Sequence, residues 1–309
     1  MLTFIGLTSI VAALAAIWLA LRIRSTVSVW TACQAWNWTI GALLAVLLHA
    51  TLLLPRLQMS AAVTSAAAYF ATTMLLTPLV TILGARRPGI AAWHWFVVLP
   101  MVIVLQWPAL SQLFGSHGRA PIELNAPATV GVVVVLVMSA GTLLGTSSTC
   151  VALVYSSAIL LLLASTTGNK SAQFPVTAFA PILMLTAMWI ALRNLDCHLT
   201  RLRTATTTAQ RTQAIGEMFS SLYGFTWTRR VQDRINQFAP RERWSVRLTA
   251  TGFKRLDGDT PTDDELQQPL EAFIWVLTRF ADDGWLRHVL NPQIPDNPTN
   301  LRQPALPPS

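Results

Sequence analysis

The sequence predicts an all-α polytopic membrane bundle of about seven helices, N-terminus outside and C-terminus inside, followed by a small, mainly helical α+β domain. Three observations carry this expectation. Of 309 residues, 53% are hydrophobic and only 12% are charged, whereas a soluble domain carries roughly 25% charged residues. Seven apolar runs lie near 2–21, 29–54, 61–84, 90–110, 128–145, 147–167 and 176–193. Runs of about 20 residues cross hydrocarbon as helices because every backbone polar group is then satisfied internally. The charge is also unevenly divided. Residues 1–195 hold eight basic side chains and one acidic one, Glu123, while 196–309 hold fourteen basic and thirteen acidic. A nucleic-acid binder concentrates its basic excess on a soluble domain; here that part is nearly balanced, so nucleic acid is not an expected partner.

Three regions follow: a transmembrane domain at 1–195, a cytoplasmic α+β domain at 196–290 and a Pro-rich tail at 291–309, expected to be disordered. The first run reads as a span rather than a signal peptide, because Arg22 and Arg24 follow the apolar stretch instead of preceding it. Pro78, Pro100 and Pro181 fall inside spans, where neighbouring helices can compensate for the missing N–H. The fifth and sixth runs are joined by so short a turn, near Gly145-Thr146, that they must form a hairpin.

The excess of Lys and Arg on cytoplasmic loops orients the chain. With the N-terminus outside, Arg22, Arg24, Arg86, Arg87, Arg193, Arg201 and Arg203 fall inside, and only Arg56, Arg119 and Lys170 fall outside. Seven spans then leave the C-terminal domain at the cytoplasmic face of the cell membrane. In the stretch LGARRPGIAAWHWF, Arg86 and Arg87 read as an inner-face anchor and Pro88-Gly89 as a turn. Trp93, Trp95 and Phe96 then form an interfacial aromatic belt. The two arginines are also candidate contacts for anionic lipid headgroups.

Candidate chemistry in the spans is sparse. No Asp or Glu lies within the seven runs, so the usual carboxylate relays of coupled transporters are missing. His49 and His94 fall near opposite faces, too far apart to hold one haem between them. Cys33, Cys150 and Cys197 fall near the inner face with His94 and His198, but no CxxC or HxxxH spacing joins them. No metal or other cofactor is expected, and the thiols should be reduced. Gly141 and Gly145 form a GxxxG, read as a helix-packing motif. The loop Ser111–Pro127, with His117, Arg119, Glu123 and Asn125, reads as an ordinary solvated connection.

In the C-terminal region, Ile215, Met218, Phe219 and Leu222, then Val231, Ile235 and Phe238, give two helical pieces broken near Tyr223-Gly224. WSVRLTATGF, Trp244–Phe253, alternates as one half-buried strand. No second strand is convincing. The strand is therefore expected to pair either with a segment such as 224–228 or with another chain, making Trp244, Val246 and Leu248 a candidate partner strand. KRLDGDTPTDDE fails as a calcium loop: Pro261 holds a ligand position and Thr262 the obligatory glycine position. Thr262 and Glu265 read instead as a capping box, although Pro269 offers a later start for the helix. Leu270, Phe273, Ile274 and Leu277 form its buried stripe, and Gly284 is the expected C-cap.

Signatures for dinucleotide, nucleotide, serine-hydrolase and zinc-protease sites are absent. The leading expectation is a multi-pass membrane anchor or complex subunit whose cytoplasmic domain meets a protein partner, without catalysis. The alternative is a permease or channel for a neutral or lipid-like substrate. A metal-dependent membrane enzyme at the Cys/His residues is the third reading.

Overall fold

The computed structural model describes residues 2–86, 89–115, 122, 124–166, 173–250, 252–259 and 261–290. The chain is mostly helical. Its first part runs α1 (Leu2–Thr26), α2 (Cys33–Leu52), α3 (Ala61–Leu83), α4 (Ile90–Trp93), a π turn (His94–Val98), α5 (Leu99–Gly115), α6 (Ala126–Gly141) and α7 (Thr149–Ala164). There follow α8 (Gln173–Thr204), α9 (Thr208–Phe238), the strands β1 (Val246–Thr249) and β2 (Gly252–Arg255), α10 (Asp263–Leu277) and α11 (Asp283–Leu290). Among the described residues, five helical stretches are long and apolar enough to cross a membrane: 6–26, 33–52, 61–83, 90–114 and 179–204. The apolar helices α6 and α7 are shorter, at 16 residues each.

The bundle is built on small residues. Helix α2 packs along α3, and α8 packs along both α1 and α7. Ala13, Ala16 and Ala20 of α1, Ala42 of α2, Ala158 of α7 and Ala180 and Ala187 of α8 are fully buried. With side chains this small, helix backbones approach closely, which is how packing energy is gained where lipid leaves no hydrophobic drive between helices. The complementary faces are apolar and exposed. Phe4, Leu7, Val11, Leu14, Trp18 and Leu21 form such a face on α1, an arrangement suited to hydrocarbon and costly in water.

The chain entering α5 is locally widened. A π turn at 94–98 stands directly before Pro100, whose missing N–H interrupts the α-helical ladder there. Trp93 turns inward and donates its indole N–H to the Val80 carbonyl at 3.0 Å. Gly84 provides the room: a Cβ there would stand 2.1 Å from the Trp93 ring. The aromatic belt expected here therefore divides, with Trp95 and Phe96 exposed and Trp93 packed on the end of α3. Arg87 and Pro88 of that turn lie outside the described residues.

Several sequence expectations are corrected. Gly141 ends α6 and Gly145 sits in the α6–α7 turn at φ +77°, and neither has an atom within 4 Å of a would-be Cβ. Gly145 thus serves a tight turn, because φ > 0 selects glycine, while Gly141 has no helix of this chain packed at its Cβ position. Residues 244–253 do not form one strand. They fold back as a hairpin in which Val246 faces Arg255 and Leu248 faces Phe253, with Gly252, at φ +102°, opening β2 opposite Thr249. The other edge of β1 is also occupied: the Asn236 amide donates to the Leu248 carbonyl at 2.9 Å and accepts from its N–H at 2.8 Å. Val246 and Leu248 are buried in the core, so the strand is not solitary.

Helix α10 starts at Thr262 and runs through Pro269. Glu265 accepts from the Thr262 N–H at 2.9 Å and hydroxyl at 3.0 Å. Gly284 is no C-cap; it lies in the first turn of α11, where Asp282 accepts from the Trp285 N–H at 3.0 Å. Helix α8 passes unbroken through Leu195-Asp196, the expected domain boundary, and the elbow to α9 falls at 205–207. The tail at 291–309 and the residues His117, Arg119 and Glu123 of the 111–127 connection lie outside the described residues.

Candidate functional site

The densest constellation of buried polar contacts lies where the C-terminal region meets one end of the bundle, here termed the basal end. Three turns gather there: 27–32 between α1 and α2, 82–86 after α3, and 142–148 between α6 and α7. All three are held by α9 and the segment between α10 and α11.

Tyr223 is the hub. Its hydroxyl accepts from the Ala32 N–H at 3.0 Å, donates to the Phe280 carbonyl at 3.0 Å and lies 2.9 Å from the Thr31 hydroxyl. Thr31 donates in turn to the Ala85 carbonyl. Two hydroxyl protons are therefore shared among two carbonyls and their mutual contact, a network in which each member polarises the next. Backbone pairing reinforces it: the Thr31 N–H donates to the Phe280 carbonyl at 2.7 Å, and the Asp282 N–H to the Val29 carbonyl at 2.9 Å. Between these bonds Trp30 is fully buried against Phe219, Tyr223 and Trp285, with ring centroids 5.3 to 6.4 Å away. The α1–α2 turn thus inserts a tryptophan into the core of the C-terminal region.

The other two turns are tied in the same manner. The break in α9 at Gly224, φ +78° and ψ 178°, lets the Phe225 N–H reach the Thr142 carbonyl at 2.7 Å. Ser148 bonds the Ser221 carbonyl at 2.8 Å, Ser147 meets His198 Nε2 at 3.0 Å, and Asn194 donates to the Ser147 carbonyl at 2.7 Å. Trp227 donates its indole N–H to the Ile82 carbonyl at 3.2 Å. Such a seam fastens the C-terminal region to the bundle, most firmly at the Tyr223–Thr31 network, where a broken bond leaves a buried polar group unpaired.

The other candidates are dispersed. Cys150 and Cys197 are exposed, Cys33 is half-buried and none is in a disulfide. His94 lies edge-on to Trp38, while His49 is buried on α2. Among the described residues no three His, Cys, Asp or Glu side chains come together in a way that could hold a metal ion. An open groove of about 270 Å³ lies at the α8–α9 elbow, lined by Arg201, Gln210, Gln213 and Glu217. Its arginine and glutamate are paired with each other at 2.6 Å. Arg86 is exposed beside the 82–86 turn.

Two features escaped sequence reading. The hub residues Trp30, Thr31 and Tyr223 carry no motif, and Trp30 and Thr31 fall at the start of the apolar run 29–54 with nothing in the sequence to single them out. The second left a plain signal: Trp18–Arg22, WLALR, recurs as Trp189–Arg193, WIALR. In each copy the arginine lies over its own tryptophan ring, at 6.0 and 5.4 Å, on the neighbouring helices α1 and α8. Both helices end toward the basal end, so the two copies run parallel. No family model, curated protein or solved structure matches the chain.

Proposed function

We propose that this chain is a seven-span membrane protein, N-terminus outside, that acts as a non-catalytic anchor or complex subunit. Its region 196–290 forms a cytoplasmic platform for a protein partner. The observation that carries the reading is the fastening of that region to three turns at one end of the bundle through Tyr223, Gly224 and Trp227. Those turns follow the first, third and fifth apolar helices, and the C-terminal region follows the seventh. This is the parity required if every apolar helix crosses once, including α6 and α7, whose 16 residues rise only about 24 Å and need their flanking turns to complete the span. Arg22 and Arg24 near the end of α1 and Arg86 at the end of the 82–86 turn favour the cytoplasmic side for this end of the bundle. A platform with its connections locked is suited to presenting a fixed surface, and with the Leu248 groups on the β1 edge taken by Asn236 that surface offers side chains rather than strand pairing at this position.

The test is crosslinking in native membranes followed by mild-detergent purification, with a reporter fused after Ser309 to fix the side. A stoichiometric partner and a cytoplasmic reporter are expected. Recovery of the lone chain alone removes the subunit reading, and an external reporter removes the orientation.

One observation favours a permease as the second reading. Gln106 is buried between helices, donating to the Thr73 hydroxyl and the Tyr69 carbonyl, while Tyr69 donates to the Leu105 carbonyl at 2.7 Å. Polar groups inside a span often line a substrate path. Uptake of neutral solutes into reconstituted vesicles, abolished by Gln106→Leu, is the outcome this alternative requires.

A further inference from the structure

Four arginines converge on the seam between the 82–86 turn and the C-terminal region, and each of three is stacked on an aromatic ring. Arg279 lies 4.8 Å over Trp275, Arg234 lies 5.0 Å over Phe238, and Arg230 lies 4.9 Å over Trp227. The rings are themselves connected: Phe238 and Trp275 meet edge to face at 6.2 Å. Trp227 is bonded to the carbonyl of Ile82, four residues before Arg86. The guanidinium planes are thus held by their rings instead of by acids. None of the ion pairs among the described residues involves Arg86, Arg230, Arg234 or Arg279, whereas the adjacent Arg229 is neutralised by Asp233 at 3.1 Å.

Like charges gathered without counter-charge destabilise a fold unless an anion joins them. Partial burial, then the nearby guanidinium groups of Arg86 and Arg234, hold Arg279 below the usual arginine value. Arginines oriented by stacking present their N–H forks for two-point bonding to phosphate oxygens, which lysine cannot imitate.

We propose that Arg86, Arg230, Arg234 and Arg279 form a phosphate-binding site at the seam between the α3–α4 turn and the C-terminal region. The phosphate could belong to an anionic phospholipid headgroup or to a soluble phosphate compound. Trp95, Phe96 and Phe225 are exposed at 69%, 80% and 61%. The first two follow Arg86 within ten residues in the chain and Phe225 stands two residues before Trp227 on α9, so acyl chains would find exposed apolar side chains on the same two segments that carry the charge. The site does not depend on the partner reading, because lipid or phosphate retention is measured without any partner present.

The experiment uses the full chain. In one arm, bilayer discs of phosphatidylcholine and phosphatidylglycerol in equal parts are dissolved, and the lipid retained on the protein is weighed by native mass spectrometry. In the other, inorganic pyrophosphate is titrated in neutral detergent and followed by tryptophan fluorescence. Arg234→Gln/Arg279→Gln should lower retention or affinity by roughly tenfold or more, as expected for two juxtamembrane charges. Arg247→Gln/Lys254→Gln, which removes the same charge from the exposed face of the hairpin, should leave both unchanged.

A loss confined to the lipid arm identifies a headgroup, and one confined to pyrophosphate identifies a soluble ligand; either supports the site. Equal behaviour of wild type and Arg234→Gln/Arg279→Gln in both arms overturns it, and so does an equal loss in the hairpin control. If the double variant aggregates, the exposed Arg230→Gln supplies the same comparison, with about a fivefold loss expected.

Discussion

Gly224 and the Thr142 carbonyl stand so close that a Cβ on Gly224 would lie 2.4 Å from the oxygen. The contact exists because the two halves of α9 are broken at a residue with φ +78°, which only glycine adopts without strain. Gly224→Ala therefore meets two penalties, a left-handed backbone and a backbone clash that no side-chain movement relieves. The expected cost is about 1–3 kcal/mol for the backbone conformation, plus whatever the displaced α6–α7 turn loses. Thermal unfolding in detergent should show the destabilisation, and hydrogen exchange should rise first at the Phe225 amide, the donor to Thr142.

Tyr223→Phe isolates the hub from its packing. The ring contacts persist, with Phe219 stacked at 4.7 Å, but the Ala32 N–H loses its acceptor and the Phe280 carbonyl a donor. The carbonyl keeps the Thr31 N–H, so the cost is that of one buried unpaired donor, the Ala32 N–H, about 1–3 kcal/mol. If the hub fastens the C-terminal region to the bundle, limited proteolysis at the elbow, 205–207, should accelerate in this variant. An unchanged cleavage rate and melting temperature show that the network contributes little.

Glu265 gives a prediction in pH. The hydrogen bond from the Thr262 backbone N–H, then that from its hydroxyl, holds the carboxyl below its ordinary value. A depressed folded-state pKa stabilises the fold above the unfolded value, and that contribution disappears as pH falls through the folded one. Glu265→Gln should be less stable than wild type near neutral pH, and the gap should close on acidification below the ordinary carboxylate range. A gap that is constant with pH assigns the effect to lost geometry rather than to charge.

The elements that local chemistry specifies were legible in the sequence. Apolar runs of helical length returned as helices, the Gly224 break and the Thr262–Glu265 cap fell where expected, and Ile215, Phe219, Val231 and Ile235 are core residues. What could not be read were encounters between distant segments. Nothing near Trp30 announces that its turn will pair with Phe280 and Asp282, some 250 residues away. The hairpin was misread for a different reason. Alternation continues from β1 into β2, so the pattern resembles one long strand, and the positive φ of Gly252 that opens β2 leaves no trace in it. The GxxxG failed because spacing alone does not say whether glycine supplies small size or left-handed backbone.

Asn236 decides whether the hairpin edge is open to another chain. Its amide occupies both the N–H and the carbonyl of Leu248 on the side of β1 away from β2, much as a neighbouring strand would. Asn236→Ala should cost about 1–3 kcal/mol through the unpaired Leu248 groups and speed exchange of the Leu248 amide. An uncovered edge is also a template for strand addition, so the variant should self-associate more than wild type in size-exclusion chromatography. Because the wild-type edge is already filled, a partner bound through side chains should be retained by Asn236→Ala. One bound by strand pairing should instead be captured more strongly than by the wild type. Measuring partner recovery from both proteins in the same crosslinking experiment separates the two modes of recognition.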